Sequence, residues 1–402
     1  MNEPFTQAVP IITKIEEAGF EAYFVGGSVR DQLLGRPVSD IDIASSATPA
    51  EIKLIFPKTA DVGIEHGTVL VLYGGASYEV TTFRAESQYT DFRRPDRVEF
   101  IRSLKEDLRR RDFSMNAMAM DRHGYIIDPY DGRVAINNKQ IVTVGAPEER
   151  FREDALRILR ALRFVSQLSF SIESRTLSSI KKLSGLLEKI AVERKTAEFE
   201  KMLTGPARER AMRLTSETAV YRYLPGLSQQ YASFLQFASY KTSHLDVEEM
   251  WALLIYSLNL SGKGAEQFLR EWKLPVNRIK KLLKIVRWLQ YRMEHDWDLQ
   301  ALYECGIETA LNTERVFNTI FQGRGNHESH LIGLFDSLPI KERSEVNVTG
   351  SDLMEWKNNK AGPWIKEMRE QIEKAIIAGE LDNHKQQIRE WVGKCNRNCE
   401  EN

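Results

Sequence analysis

The distribution of β-strand signals along the chain constrains the fold more than any other feature of the sequence. Short β-rich runs alternate with glycine-rich turns only up to about residue 143. These runs cover residues 23–26, 68–73, 78–83, 98–101 and 125–128. From Pro147 onward the chain has the pattern of amphipathic helices separated by Gly-Pro and Leu-Pro pairs. The sequence therefore predicts an α+β head, with a small mixed sheet and helices, followed by an all-α C-terminal region.

The predicted organisation has four parts. Residues 1–143 form the head, 144–205 a helical neck, 206–300 a helical body and 301–402 a helical tail. Apolar residues make up 42% of the 402 residues and charged residues 28%, so the chain can bury a large core and lies outside the disordered class. The formal net charge of -1 argues against a uniformly basic nucleic-acid binder but allows local basic patches.

The sequence predicts neither a membrane span nor an export signal. The longest apolar run, residues 250–256, is far shorter than the roughly 20 residues that a span needs. The N-terminus carries acids where a signal peptide carries bases, so we expect a cytoplasmic protein. Three cysteines do not make a disulfide framework, and we expect Cys395 and Cys399 to be idle thiols.

A glycine turn after the first predicted strand is a candidate phosphate site. Gly26 and Gly27 let the backbone approach a ligand closely, and they expose N–H groups beside the Ser28 hydroxyl. Arg30 adds a guanidinium that can bind phosphate oxygens. The alternative is a glycine turn with no ligand.

Two closely spaced carboxylates follow this turn. Asp40 and Asp42 are two residues apart in a predicted strand, so they share one face, where a single divalent cation can bridge them. Their isoleucine neighbours make an unpaired acidic pair costly. Glu79, from a neighbouring strand, is a candidate third carboxylate. The alternatives are a solvated strand end for the pair and an outward-facing strand residue for Glu79.

A basic segment covers residues 84–111. Within it, residues 91–96 have the composition of a mobile loop, and residues 109–116 that of a basic turn entering a buried Met/Ala segment. Asp112 and Asn116 bracket apolar residues, so we expect Arg111 and Asp112 to face a cleft that can hold a triphosphate and a ribose. The alternative is a solvated charged face.

Residues 150–164 are predicted to form one amphipathic helix. At about 100° per residue, Glu153, Asp154, Arg157 and Arg160 share one arc opposite an apolar face. Asp154 beside Arg157 offers an acceptor next to a donor, which complements the Watson–Crick edge shared by cytosine and adenine; uracil and guanine present the inverse pattern. The alternative is a helix with Glu–Arg pairs on its surface.

Taken together, these segments resemble a known family. The motifs GGSVRDQLLG, SDIDI, RRDFSMNAMAM, DPYDG and EDALRILRALRF resemble, in order and approximate spacing, those of the class II tRNA nucleotidyltransferases, the CCA-adding enzymes of the polymerase-beta-like superfamily. The stretch around residues 347–381 is similar to the tail of the CCA-adding enzymes of low-GC Gram-positive bacteria. The resemblance implies addition of C, C and A to the tRNA 3′ end from CTP and ATP, without a nucleic-acid template and with release of pyrophosphate.

The resemblance also implies roles for individual residues. Asp40 and Asp42 would hold Mg²⁺. The residues implied at the triphosphate are Gly27, Ser28, Arg30 and Arg111. Those implied at the ribose and the base are Asp112, Asn116, Glu153, Asp154, Arg157, Arg160 and Arg163, with Glu153 orienting Arg157. The loop of residues 86–97 would help the switch from C to A addition.

Other interpretations stay open. A poly(A) polymerase shares the head motifs and uses only ATP, and a partial enzyme would add only CC or only A. The loop at residues 91–96 favours full or A addition. A catalytically inactive RNA-binding scaffold is a further alternative, although the intact acidic and basic motifs argue against it.

The helical region offers weaker signals. Residues 273–287 include six basic residues and no acidic residue. Lys280, Lys281 and Lys284 are therefore candidate contacts to the tRNA backbone, and the alternative is a solvated basic face. His327 and His330 are expected at a surface helix end rather than at a metal. The predicted tail, residues 301–402, is expected to bind tRNA, and the sequence leaves a homodimer open.

Overall fold

The computed structural model describes residues 1–38, 40–63, 67–87, 97–323 and 325–397. Its contacts divide the chain into two compact units. The first comprises Met1–Ser239 with Glu271–Lys273, and the second comprises Tyr240–Arg270 with Leu274–Asn402. The finer division into four parts stays a prediction.

The strands that the described residues form lie in the first unit. They are β1 Ala22–Val25, β2 Asp42–Ser45, β3 Thr59–Gly63, β4 Thr68–Tyr73, β5 Ala76–Thr82, β6 Arg84–Ser87, β7 Arg97–Phe100, β8 Ala119–Met120, β9 Ile126–Ile127, β10 Gln140–Ile141 and β11 Ser171–Ile172. Seven of them form one sheet in the order β3-β4-β5-β2-β1-β8-β9, while β6 pairs with β7 and β10 with β11. Because β2 runs parallel to β5 and the other neighbours are antiparallel, the sheet is mixed, as predicted.

Helices surround and follow this sheet. Those of the first unit are α1 Glu3–Glu17, α2 Gly27–Leu33, α3 Pro49–Ile55, α4 Leu104–Arg109, α5 Gly132–Asn137, α6 Pro147–Glu153, α7 Leu156–Leu168, α8 Ser174–Leu183, α9 Val192–Leu203, α10 Arg208–Glu217 and α11 Tyr231–Ser239. Short 3₁₀ turns cover Ser114–Asn116, Ser184–Lys189 and Val220–Tyr223. The apolar side of α1 is spaced at three and four residues, so Phe5 reaches the sheet and meets Phe24 edge-on at 4.9 Å.

Two local predictions about the first unit are wrong. β2 begins at Asp42, so Asp40 precedes the strand rather than sharing it. The predicted helix over residues 150–164 is broken, because α6 ends at Glu153 and α7 begins at Leu156. Asp154 has extended backbone angles, φ -142° and ψ 104°, and its carboxylate accepts a hydrogen bond from Leu156 N at 3.0 Å. Such local side-chain bonding competes with the helical backbone pattern and marks the break.

The second unit is helical in its described residues. Its helices are α12 Val247–Ser257, α13 Gly262–Glu271, α14 Val276–Glu294, α15 Leu299–Cys305, α16 Ile307–Ile320, α17 Glu328–Asp336, α18 Gly350–Lys357, α19 Trp364–Ile377 and α20 Lys385–Arg397, with a 3₁₀ turn at Arg343–Glu345. Buried Glu314 of α16 accepts from Arg292 of α14 at 2.9 Å and from the Trp297 indole at 2.7 Å. This pairing satisfies a carboxylate that would otherwise be costly to bury.

The predicted fold class, an α+β head followed by an all-α region, is confirmed. Throughout the described ranges, we find no helix with the length and apolar character that crossing a bilayer requires.

Candidate active site

The glycine turn brings backbone, cation and carboxylate together. Gly26 follows β1 and has a φ of 75°, a conformation that residues with a Cβ disfavour. A Cβ at this position would lie 3.0 Å from Arg111 Nη1 and 3.5 Å from Asp42 Oδ2. Glycine therefore lets the Arg111 guanidinium and the Asp42 carboxylate approach the turn. Ser28, in contrast, is buried and donates its hydroxyl hydrogen to Val25 O at 2.9 Å, so only its N–H is available to a ligand in this conformation.

Negative charge gathers at the edge formed by β2 and β5. The parallel register places Asp42 directly opposite Glu79. Although Asp42 keeps part of its side chain exposed, desolvation by the surrounding protein raises its pKa; the Arg111 charge opposes the rise, and the charges of Glu79 and Asp40 add to it. Mutual repulsion of this kind is relieved by a divalent cation, which prefers oxygen ligands. The donor set therefore fits such an ion, although the described side chains include no group of three that is already converged into a cage.

Three consecutive residues connect the separate parts of the site. The Arg110 carbonyl accepts from Arg157 Nη2 at 3.0 Å. Arg111 lies against the glycine turn. Asp112 Oδ2 accepts from Arg160 Nε at 2.7 Å. One turn of the chain thus reaches the acidic edge of the sheet and the charged side of α7.

A polar network extends from Asp112 back to α2. Asn116 Nδ2 donates to Asp112 Oδ1 at 3.2 Å, and Arg30 Nη1 donates to Asn116 Oδ1 at 2.7 Å. Burial alone would raise the pKa of Asp112, but the Arg160 and Arg157 charges, with hydrogen bonds from Arg160 and Asn116, lower it to about 2. Asp112 is therefore a fixed anion that orders its neighbours.

The ring of Phe164 organises three arginines. The guanidinium carbons of Arg30, Arg160 and Arg163 lie 5.2, 5.8 and 4.1 Å from the ring centroid. Arg163 also pairs with Glu198 of α9 at 2.6 Å. Cation–π contacts and this carboxylate offset the repulsion among the cations, so the positive charge is held for an anionic ligand.

Arg157 and Asp154 retain part of their hydrogen-bonding capacity. Arg157 donates to Glu153 Oε2 at 2.5 Å, to Arg150 O at 3.2 Å and to Arg110 O at 3.0 Å, which leaves two of its five N–H donors unused among the described residues. Asp154 accepts from Leu156 N and from two nitrogens of Arg194, at 3.0, 3.3 and 2.7 Å. Among the described residues, these hydrogen bonds leave one lone pair of the Asp154 carboxylate, on Oδ2, without a donor.

Sequence reasoning missed three members of this network. Arg194 and Glu198 lie four residues apart on α9 and face Asp154 and Arg163. Asp107 is fully buried and binds Arg110 and Arg111. The only signal for the α9 pair was an Arg–Glu spacing typical of surface ion pairs. For Asp107 it was a pair of adjacent acids, Glu106 and Asp107, preceding the basic turn.

The other predicted residues belong to the second unit or fall outside the described residues. Lys280, Lys281 and Lys284 are exposed on α14 of the second unit, and Lys281 pairs with Glu308 at 2.6 Å. His327 is exposed and lies immediately before α17, which confirms a surface helix end. Residues 88–96, which include most of the predicted switching loop, and Cys399 lie outside the described residues, as does the side chain of Cys395.

Comparison with known families assigns the main segments. Residues 22–142 match the poly A polymerase head domain, and residues 169–231 match the probable RNA and SrmB-binding site of polymerase A. Residues 243–392 match the putative tRNA nucleotidyltransferase domain 2. The fold and these matches define a nucleotidyltransferase.

Full-length relatives specify the family. The chain is 48% identical to a CCA-adding enzyme of Geobacillus sp. over 98% of this chain and 97% of that one, and 46% identical to one of Bacillus cereus over 98% and 99%. A crystal structure of the Bacillus stearothermophilus CCA-adding enzyme in complex with CTP matches all of both chains, with a TM-score of 0.91 and 45% identity. The chain belongs to the family of CCA-adding enzymes, whose members are nucleotidyltransferases that generally use divalent metal ions.

Proposed function

We propose that this chain adds C, C and A to the 3′ end of tRNA without a nucleic-acid template, using CTP and ATP and releasing pyrophosphate. The observation that carries the proposal is the turn of Arg110, Arg111 and Asp112, which contacts the base-selecting arginine, the glycine turn and Arg160. One nucleotide lying along this turn would meet groups suited to its base, triphosphate and ribose. The whole-chain similarity to CCA-adding enzymes supports this proposal over the poly(A) polymerase alternative.

Arg111 is the principal triphosphate ligand in this proposal. Its Nε is buried, and no hydrogen-bond acceptor reaches it among the described residues, which is costly unless a ligand supplies one. Arg30 adds a second guanidinium, and Gly27 and Ser28 add N–H groups from the first turn of α2, which lack acceptors within the helix. These donors take up the negative charge that develops on the leaving pyrophosphate.

The carboxylates of Asp40 and Asp42 would hold Mg²⁺, with Glu79 as a nearby third carboxylate. When bound, the ion lowers the pKa of the tRNA 3′-hydroxyl and neutralises phosphate charge. The 3′-oxygen forms its bond to the α-phosphorus while the bond from that phosphorus to the pyrophosphate oxygen breaks, and the hydroxyl proton passes to solvent. No covalent intermediate with the protein is required. Asp112 and Asn116 are proposed to lie near the ribose.

Base selection is assigned to Asp154 and Arg157. The remaining lone pair on Asp154 Oδ2 accepts from the exocyclic amino group of cytosine or adenine, and an unused N–H of Arg157 donates to the neighbouring ring nitrogen. Glu153 fixes the guanidinium of Arg157 through the 2.5 Å hydrogen bond. Arg160 and Arg163 complete the pocket.

The second unit contributes the tRNA contacts in this proposal. Lys280, Lys281 and Lys284 form an exposed basic row on α14, which suits a phosphate backbone. The homodimer and the cytoplasmic location stay expectations. The role of residues 86–97 in the switch from C addition to A addition also stays an expectation.

One assay separates the candidate functions. Purified protein is given Mg²⁺ or EDTA, each nucleotide alone or all four together, and tRNA ending at the discriminator base, at C or at CC. The proposal predicts ordered addition of C, C and A that stops after A and ceases in EDTA. Untemplated runs of A would support the poly(A) polymerase, addition of only CC or only A would support a partial enzyme, and no addition would support a scaffold.

A further inference from the structure

Asp107 is a buried carboxylate that the proposed reaction leaves without a role. It lies in α4 and is 0% exposed. Its Oδ1 accepts from Arg110 Nε at 3.0 Å and Nη2 at 2.8 Å, and from Arg84 N at 3.2 Å. Its Oδ2 accepts from Arg111 Nη2 at 3.4 Å. Burial alone would raise its pKa, but the charges and hydrogen bonds of Arg110 and Arg111 and the Arg84 N–H hold the pKa below the usual range. Asp107 is thus an anion with three protein partners.

The first consequence of these bonds concerns Arg111. Its guanidinium lies against Gly26 and affects the pKa of Asp42. Asp107 accepts a hydrogen bond from Nη2 of this guanidinium, whereas Nη1 is the nitrogen near Gly26. The charge of Asp107 also offsets the repulsion between Arg110 and Arg111. Without that charge, two adjacent guanidinium groups would move apart.

The second consequence concerns Arg157. Two of its three acceptors, Glu153 and the Arg150 carbonyl, belong to α6. The third is the Arg110 carbonyl, which belongs to the turn that Asp107 fixes through the Arg110 side chain. The orientation of Arg157 relative to the glycine turn therefore depends on a residue that it does not touch.

We propose that Asp107 is a positioning residue. Its buried carboxylate orients Arg111 at the triphosphate directly and orients Arg157 at the base through Arg110. This inference rests on the proposed roles of Arg111 and Arg157. It predicts that nucleotide binding and base selection are coupled through Asp107, whereas a purely structural residue would affect stability and overall rate alone.

The test compares single-turnover incorporation of CTP and UTP into tRNA that lacks its 3′ end, with thermal melting of each variant. Asp107→Asn keeps an acceptor for Arg84 N but loses the charge. We expect it to raise the KM for CTP by about tenfold. We also expect it to lower the ratio of CTP incorporation to UTP incorporation, called the CTP to UTP ratio, by about tenfold, as loss of one charge-assisted hydrogen bond would. Glu106→Gln is the matched control, because Glu106 is the exposed neighbour that pairs only with Arg109 among the ion pairs described. It should leave both quantities unchanged.

A second variant separates the two consequences. Arg110→Met removes the tie between Asp107 and the turn but keeps the contact of Asp107 with Arg111, so it should lower the CTP to UTP ratio more than it raises the KM for CTP. It also tests the inference if Asp107→Asn fails to fold.

Arg157→Ala distinguishes this inference from the proposed function. Suppose that Arg157→Ala relaxes selection, while Asp107→Asn and Arg110→Met melt at lower temperature than wild type but keep the wild-type CTP to UTP ratio. Asp107 is then structural, and only this inference is overturned. If Arg157→Ala itself keeps the wild-type ratio, the proposed base reader is wrong and the inference is overturned with it.

Discussion

Replacing Asp112 by Asn tests whether its charge holds the network between α2 and α7. The substitution keeps the shape of the side chain but removes the anion that pairs with Arg160 at 2.6 Å and hydrogen-bonds Asn116. The pKa of Asp112 is about 2 in the folded protein against 3.8 for a free side chain. A difference of that size corresponds to about 2 kcal/mol at neutral pH. We therefore expect Asp112→Asn to lower the free energy of unfolding of the first unit by about 2 kcal/mol.

The pH dependence of this effect has a definite sign. Because folding depresses the pKa of Asp112, its contribution is fully present above about pH 4 and is lost as the pH falls from about 4 towards 2. Urea unfolding at pH 7 and pH 3, followed by a probe in the first unit, should show the difference between wild type and variant shrinking by about half at pH 3.

An exposed ion pair provides the control for this experiment. Asp61 pairs with Lys53 at 2.6 Å but is 53% exposed, so Asp61→Asn should change the free energy of unfolding by less than about 0.5 kcal/mol. If the Asp112→Asn variant is as stable as the Asp61→Asn variant, or if its difference from wild type grows as the pH falls, the charge of Asp112 does not stabilise the network.

Three further predictions address the site and the tRNA surface. Gly26→Ala should impair nucleotide addition, because the new Cβ meets Arg111 at 3.0 Å and the φ of 75° is strained for alanine; an unchanged KM for CTP would contradict this. Asp42→Ala should abolish both C and A addition while tRNA affinity, measured by filter binding, stays within roughly a few-fold of wild type, and retained turnover would refute the metal assignment. Charge reversal on α14 should weaken tRNA binding and flatten its salt dependence without changing CTP affinity, and an unchanged salt slope would indicate a solvated face. The residues reversed together are Lys280, Lys281 and Lys284.

The acidic edge shows how far sequence patterns reach. The alternation of strand signals and glycine-rich turns correctly predicted β1, β4 and β5. It also predicted the glycine turn that comes after β1. The pairing of Asp42 with Glu79 was not predictable in detail, because it depends on the parallel register of two strands that are not adjacent in sequence.

The base-selecting segment shows where local patterns fail. Periodicity favoured one continuous helix, but Asp154 turns its carboxylate to Leu156 N and to Arg194, forty residues further along the chain. A tertiary ion pair and a local hydrogen bond together outweigh the helical preference of this stretch. Asp107 was missed for a related reason, because nothing in the sequence indicates which of the two adjacent acids, Glu106 or Asp107, is buried beside the arginines.

In the proposed reaction, side chains of this protein rather than a nucleic-acid template select C and A. The most direct test of this selection is single-turnover incorporation of all four nucleotides into tRNA lacking its 3′ end, by wild type and Asp154→Ala. Arg194→Ala is the control, because it breaks the same ion pair but keeps the Asp154 acceptor. We predict that wild type and Arg194→Ala prefer CTP and ATP, whereas Asp154→Ala loses about 1 to 3 kcal/mol of discrimination against UTP. If Asp154→Ala loses activity equally on all four nucleotides, with the order of preference unchanged, Asp154 does not select the base.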